Sequence, residues 1–168
     1  EIIDAAAINA LPPTIRAISA FSVGYEHIDI SAASRRGIVV TNTPGVLTEA
    51  TAEIAMLLLV GAARRAAEGE RMMRSRTWTG WRPTQLMGTQ LSGKTLGIVG
   101  MGRIGSAMAK RAEAFGMNIG YYNRSPVADA PSYAQYEPDL DDMLARCDAV
   151  SLHCPLTLAT REMFNSAR

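Results

Sequence analysis

Glycines at positions 100, 102 and 105, set directly after the apolar run Leu96-Gly97-Ile98-Val99, have the type and spacing to seat a pyrophosphate. Gly100 permits a tight turn, Gly102 lets the backbone approach phosphate oxygens, and Gly105 lets a following helix pack closely on the strand. Free amides at the start of that helix, read over 104–115, would face the anion with the helix dipole behind them. The spacing alone also suits an ordinary glycine-rich turn. The strand before it and the helix after it favour dinucleotide binding.

A second group closes the next strand, read over 118–122. In a dinucleotide site this position commonly carries Asp or Glu, which accepts from both ribose hydroxyls and repels a 2′-phosphate. Here it is Asn123, followed by Arg124 and Ser125. Arg124 can pair with or stack over a phosphorylated adenosine, and Ser125 can donate to the phosphate. Asn-Arg-Ser-Pro also suits a solvated turn, but beside the glycine loop it favours NADP(H) over NAD(H). Cys147 and Cys154 lack metal-ligand spacing and read as reduced, buried or half-buried thiols. A cytoplasmic protein without a metal is the default expectation.

The elements that must position these groups alternate. A helix is expected over 1–7, a strand over 15–20, a helix over 28–36 stopped by Gly37, and a strand over 38–41. Short connections of this kind imply a parallel pair with a right-handed crossover. After the turn Asn42-Thr43-Pro44-Gly45, Thr48 is a plausible N-cap for a helix over 49–67. Residues 54–60 of that helix are apolar nearly all round, which predicts burial on several sides, between domains or against a second subunit. Residues 71–90 read as an irregular arm. Its Trp78 and Trp81 suit either a protein interface or a cover for the local core. A second βαβ unit begins at Lys94, continues with a helix opened by Asp139 or Asp141, and ends in a strand over 148–153 read as buried.

Composition narrows the function classes. Lys and Arg number 17 against 16 Asp and Glu, so charge points to neither nucleic acid nor an anionic membrane. No apolar run is long enough to cross a bilayer. The chain lacks an initial Met and reads as the interior of a longer polypeptide.

Several separated blocks together resemble the D-2-hydroxyacid dehydrogenase family, the glyoxylate and hydroxypyruvate reductases in particular. They are Ser22-Val23-Gly24-Tyr25-Glu26-His27-Ile28-Asp29, Asn42-Thr43-Pro44-Gly45-Val46, Thr51-Ala52-Glu53, the glycine loop, and Leu152-His153-Cys154-Pro155-Leu156-Thr157. The resemblance implies an α/β fold: a Rossmann-type, doubly wound parallel sheet and part of a flavodoxin-like α/β substrate domain. Residues 1–46 would belong to the substrate domain, and residues 47–168 to a dinucleotide-binding domain incomplete at its C-terminal end. It also implies a homodimer through the cofactor domain.

The family's roles fall on matching positions. The amides of Val23 and Gly24 would hold the substrate carboxylate, with Asn42 near the reacting carbonyl. Thr48 and Thr160 would touch the cofactor, Arg103 and Ile104 would lie over its pyrophosphate, and Cys154-Pro155 would wall the adenine. Neither His27 nor His153 matches the family's proton donor. That His, its Glu partner and the catalytic Arg would lie beyond Arg168, so this chain would carry binding residues without acid–base machinery. The implied reaction is reduction of a small 2-oxo acid, glyoxylate or hydroxypyruvate, with hydride from NADPH. Dinucleotide-sensing corepressors of the C-terminal-binding-protein type share the resemblance. The stretch 46–53 favours the enzyme.

Overall fold

The computed structural model describes residues 2–165. It divides into two compact units, Glu1–Leu47 with Pro155–Met163, and a second centred on Thr48–Cys154. In the first unit, strands β1 (Ala17–Ser19) and β2 (Val39–Thr41) pair in parallel, Ile18 opposite Val40. Helices α1 (Ala5–Ala10) and α2 (Ile30–Arg35) accompany them. Each helix starts at an aspartate that caps it: Asp4 accepts from the Ala7 amide and Asp29 from the Ala32 amide, both at 2.8 Å. The Asp4 cap corrects the expected helix over 1–7. Ile3 instead lies extended, bridged to Ile28, and the helix begins only at Ala5. Glu1 lies outside the described residues. Ile8, Ile28, Ala32, Ala33 and Ile38 form the core of this unit.

The second unit is a four-stranded parallel sheet in the order β5-β4-β3-β6. Its strands are β3 (Thr95–Val99), β4 (Asn118–Tyr122), β5 (Ala134–Tyr136) and β6 (Ala149–Leu152). The buried residues of helix α5 (Arg103–Ala114) are Gly105, Met108, Ala109 and Ala112, a helical spacing that presents one apolar face to the sheet. Helix α3 (Thr48–Ala63) packs on α5 through Ala52 and Met56, and Arg111 joins Glu49 at 2.8 Å and Glu53 at 3.4 Å. Helix α6 (Leu140–Arg146) opens at Asp139, whose carboxylate accepts from the amides of Asp141 and Asp142. It packs close to the sheet because Gly97 and Gly120 lie opposite each other beneath it. A side chain at 97 would meet the Cys147 sulfur at 2.6 Å.

Three expectations are corrected here, and a fourth, cover for the middle of α3, is not met by groups within this chain. The helix read over 49–67 ends at Ala63, where the Thr89 amide donates to the Ala63 carbonyl at 2.7 Å and Arg65 turns left-handed at φ 55°. A further helix, α4 (Ala66–Arg74), then occupies the start of the supposed irregular arm. The middle of α3 is not buried on several sides within this chain: Ile54, Leu57 and Leu58 are 56%, 63% and 67% exposed. Strand β6 likewise exposes Val150 and Leu152, because it is the edge of the described sheet and alternate residues face outward. Strand β5 is an addition that no motif announced. Trp78 and Trp81 are exposed, so they do not cover a local core.

Candidate functional site

The glycine loop takes its shape from the two strands that flank it. Gly100 leaves β3 at φ +99°, a conformation that penalises any side chain. A Cβ there would also meet the Cys154 amide nitrogen at 2.6 Å and the His153 carbonyl carbon at 2.8 Å. A Cβ at Gly105 would run into the Gly100 carbonyl oxygen and lie 3.2 Å from Ile98 Cγ2. Both positions are therefore glycine for the protein's own packing.

Gly102 differs. Its φ of −81° suits any residue, and a Cβ there would meet nothing within 4 Å. Neither strain nor crowding within the chain requires glycine at the mouth of α5, and no side chain caps that helix. Open space in front of uncapped first-turn amides matches what a pyrophosphate needs. The residues present fit a dinucleotide.

The loop is also tied to the end of β4. Gly100 donates its amide to the Tyr122 carbonyl at 3.0 Å, and Met101 donates to Asn123 Oδ1 at 2.9 Å. The acceptor atom of Asn123 thus holds the loop, which leaves its NH₂ group free to donate. Arg124 and Ser125 follow in an exposed turn and make no hydrogen bond or ion pair among the described residues. Arg103 and Ile104 open α5, Thr48 opens α3, and Cys154 stands against Gly100 through its backbone.

Cys147 and Cys154 are free and half-buried, and burial pushes the Cys147 thiol up from its ordinary value. His153 ends β6 with its amide on the Val99 carbonyl and Nε2 2.8 Å from Ser151 Oγ, and burial lowers its pKa. Among the described residues no group of three His, Cys, Asp or Glu side chains could hold a metal. No described helix is long and apolar enough to cross a membrane.

Pro155 and Thr160 fall in the first unit, as do Val23, Gly24 and Asn42. Thr160 Oγ1 donates to the Pro155 carbonyl and accepts from the Thr157 amide, each at 2.7 Å, so its hydroxyl closes its own loop. In the other loop, Asn42 Nδ2 donates to the Val23 carbonyl at 2.7 Å and Ser22 Oγ to the Gly24 carbonyl at 2.6 Å. Both carbonyls are thereby engaged, while the Val23 and Gly24 amides donate to nothing among the described residues. Two successive amides are thus left as unengaged donors, and the Glu26 carboxylate lies beside Gly24. Sequence reasoning missed the Asn42 clamp because its partner is a backbone atom 19 residues away.

A parallel sheet crossed by α5, with this glycine turn between strand and helix, defines a dinucleotide-binding α/β domain. Residues 56–168 match the sequence family described as D-isomer specific 2-hydroxyacid dehydrogenase, NAD binding domain. The chain belongs to the D-isomer specific 2-hydroxyacid dehydrogenases. It is 50% identical over 163 residues to a glycerate dehydrogenase of Hyphomicrobium methylovorum, an alignment covering 95% of this chain and 51% of that protein. It is 50% identical over 157 residues to a glyoxylate reductase of Thermococcus litoralis, covering 90% and 47%. The crystal structure of a glyoxylate reductase from Paecilomyes thermophila superposes with a TM-score of 0.87 at 39% identity, covering 96% of this chain and 48% of that one. The chain spans about half the length of the curated relatives it matches.

Proposed function

We propose that the protein containing this chain is an oxidoreductase that reduces a small 2-oxo acid, glyoxylate or hydroxypyruvate, to the 2-hydroxy acid, using hydride from NADPH. The observation that carries dinucleotide binding is the uncapped start of α5 behind Gly102, where a side chain would project into empty space. The small 2-oxo acid is supported by the relatives' names, glycerate dehydrogenase and glyoxylate reductase. In this reading the Val23 and Gly24 amides hold the substrate carboxylate, and Asn42 keeps that loop in shape by holding the Val23 carbonyl. Residues 1–46 act on the substrate side and residues 47–168 on the cofactor side, Pro155 and Thr160 included, although Pro155–Met163 cluster with the first unit.

Preference for NADPH rests on the end of β4. No carboxylate stands there to repel a 2′-phosphate, and Arg124 and Ser125 are exposed with nothing else to bind. A homodimer through the cofactor domain would cover the apolar face of Ile54, Leu57 and Leu58. A cytoplasmic location accords with two free cysteines.

The test is nicotinamide oxidation by the full-length protein with glyoxylate or hydroxypyruvate, NADPH compared with NADH. Rapid turnover favouring NADPH is expected. Tight cofactor binding without turnover of either acid, or of related 2-oxo acids, would replace the enzyme with a dinucleotide-sensing binding protein.

A further inference from the structure

The turn that carries Arg124 and Ser125 is held at both ends by tyrosine hydroxyls. Tyr136 Oη, on β5, donates to the Asn123 carbonyl at 3.3 Å. Tyr121 Oη, on β4, accepts from the Val127 amide at 3.2 Å. The two rings lie 5.4 Å apart between centroids at 51°, so each supports the other's orientation. A third tether runs from Asn123 Oδ1 to the Met101 amide in the glycine loop. Between these ties only Arg124, Ser125 and Pro126 are exposed, and Pro126 stiffens the crown by fixing its own φ. Val127 packs partly buried against the core, which anchors the far end.

A surface turn of Asn-Arg-Ser-Pro would ordinarily sample many conformations, and binding a phosphate would then carry the cost of ordering it. Here the ordering is built into the fold by two side chains that do not themselves reach the crown.

We propose that Tyr136, together with Tyr121, is a positioning residue for the adenosine 2′-phosphate: it pre-orders the 123–127 turn so that Arg124 and Ser125 are already presented to that group. This rests on the reading of Arg124 and Ser125 given above. The tyrosine hydroxyls bond the backbone of the turn, while the glycine loop is tied separately through the Asn123 side chain, so the pair bears more on phosphorylated than on unphosphorylated dinucleotides.

The experiment measures dissociation constants for NADPH and NADH with the full-length protein and its Tyr136→Phe, Arg124→Ala and doubly substituted variants. Tyr136→Phe removes one oxygen and keeps the ring packing. It is expected to weaken NADPH about three- to tenfold, the range for loss of one hydrogen bond, and to leave NADH within about twofold. In the Arg124→Ala background the same substitution should change little. Equal weakening of both dinucleotides would mean a merely structural tyrosine and overturn the proposal, as would an effect undiminished in the Arg124→Ala background. If Arg124→Ala lowers the NADPH-to-NADH preference while Tyr136→Phe does not, the positioning role fails and the phosphate reading stands. If Arg124→Ala leaves the preference unchanged, the phosphate reading itself fails, and the positioning role with it. Tyr121→Phe should shift the preference in the same direction as Tyr136→Phe, and a shift in the opposite direction would count against the pair.

Discussion

In the first unit, two three-residue strands and two six-residue helices close over a small core that mixes isoleucines with alanines, Ile8, Ile28, Ala32 and Ala33 among them. In the second, the five-residue strands β3 and β4 lie between α5 on one face and α6 on the other, and Leu96 and Ile98 are wholly buried. Each such buried aliphatic side chain stabilises by roughly 1.5–3 kcal/mol. The first unit relies on local ties: the aspartate caps of α1 and α2, and Arg36, whose guanidinium reaches the carbonyls of Ile8 and Pro12. Both units place free amides in a loop after a strand, but only the second sets that loop on a broad buried sheet. Under the proposed function, the phosphates would fall to the region with the larger buried sheet and the substrate carboxylate to the region held by fewer buried groups.

Glycine substitutions sharpen this contrast most. Gly105→Val would force a branched side chain into the Gly100 carbonyl and Ile98, and is expected to cost about 3 kcal/mol or more and abolish NADPH binding. Gly37→Ala, at φ +66° with open space around it, should cost only about 1–2 kcal/mol of backbone strain in the first unit. Denaturant unfolding with dinucleotide titration reads both, and equal costs would break the comparison. Next in size is amide exchange in the 168-residue chain. The amides of β1 should exchange at least about a hundredfold faster than those of β3, which open only with the larger sheet. Comparable protection would mean that the first unit draws stability from more than its own core.

Removing a cap gives a smaller effect. Asp139→Ala leaves the Asp141 and Asp142 amides without their acceptor and should cost about 1 kcal/mol in thermal or denaturant unfolding. The smallest is a pH effect at His153. Burial lowers its folded pKa from 6.5, so the unfolded chain takes up a proton at higher pH than the folded one. Its contribution to stability is therefore complete above about pH 6.5 and is lost as pH falls through the lower folded value. His153→Gln should flatten that decline, and an unchanged slope between pH 6.5 and 5 would remove His153 as its source.

The glycine loop was legible because its spacing follows directly on an apolar strand and two of its glycines answer to local demands. Gly100 must turn and Gly105 must touch its neighbour, while Gly102 stays open, and spacing from that loop also located Asn123, Arg124 and Ser125. β4 was legible for similar reasons, and the start of α6 was narrowed to Asp139 or Asp141, of which the structure uses Asp139, since strand propensity and capping act over a few residues. The end of α3 was hidden. Nothing near Ala63 announces it, because the group that stops the helix is the Thr89 amide, folded back from 26 positions further on. The all-round apolar pattern of Ile54, Leu57 and Leu58 reports that a face needs cover, between domains or against a second subunit, without saying whether this chain supplies it.

The sequence by itself determined the parallel α/β plan, the pyrophosphate loop and the missing carboxylate after β4, since these follow from residue type and short-range spacing. Only the tertiary structure decided what holds them. Asn123 accepts from Met101 across two strands, Asn42 clamps the Val23 carbonyl, and Tyr121 and Tyr136 brace one turn from neighbouring strands. Hydrogen bonds between groups distant along the chain depend on strand order and register, and only the packing of the whole sheet specifies those.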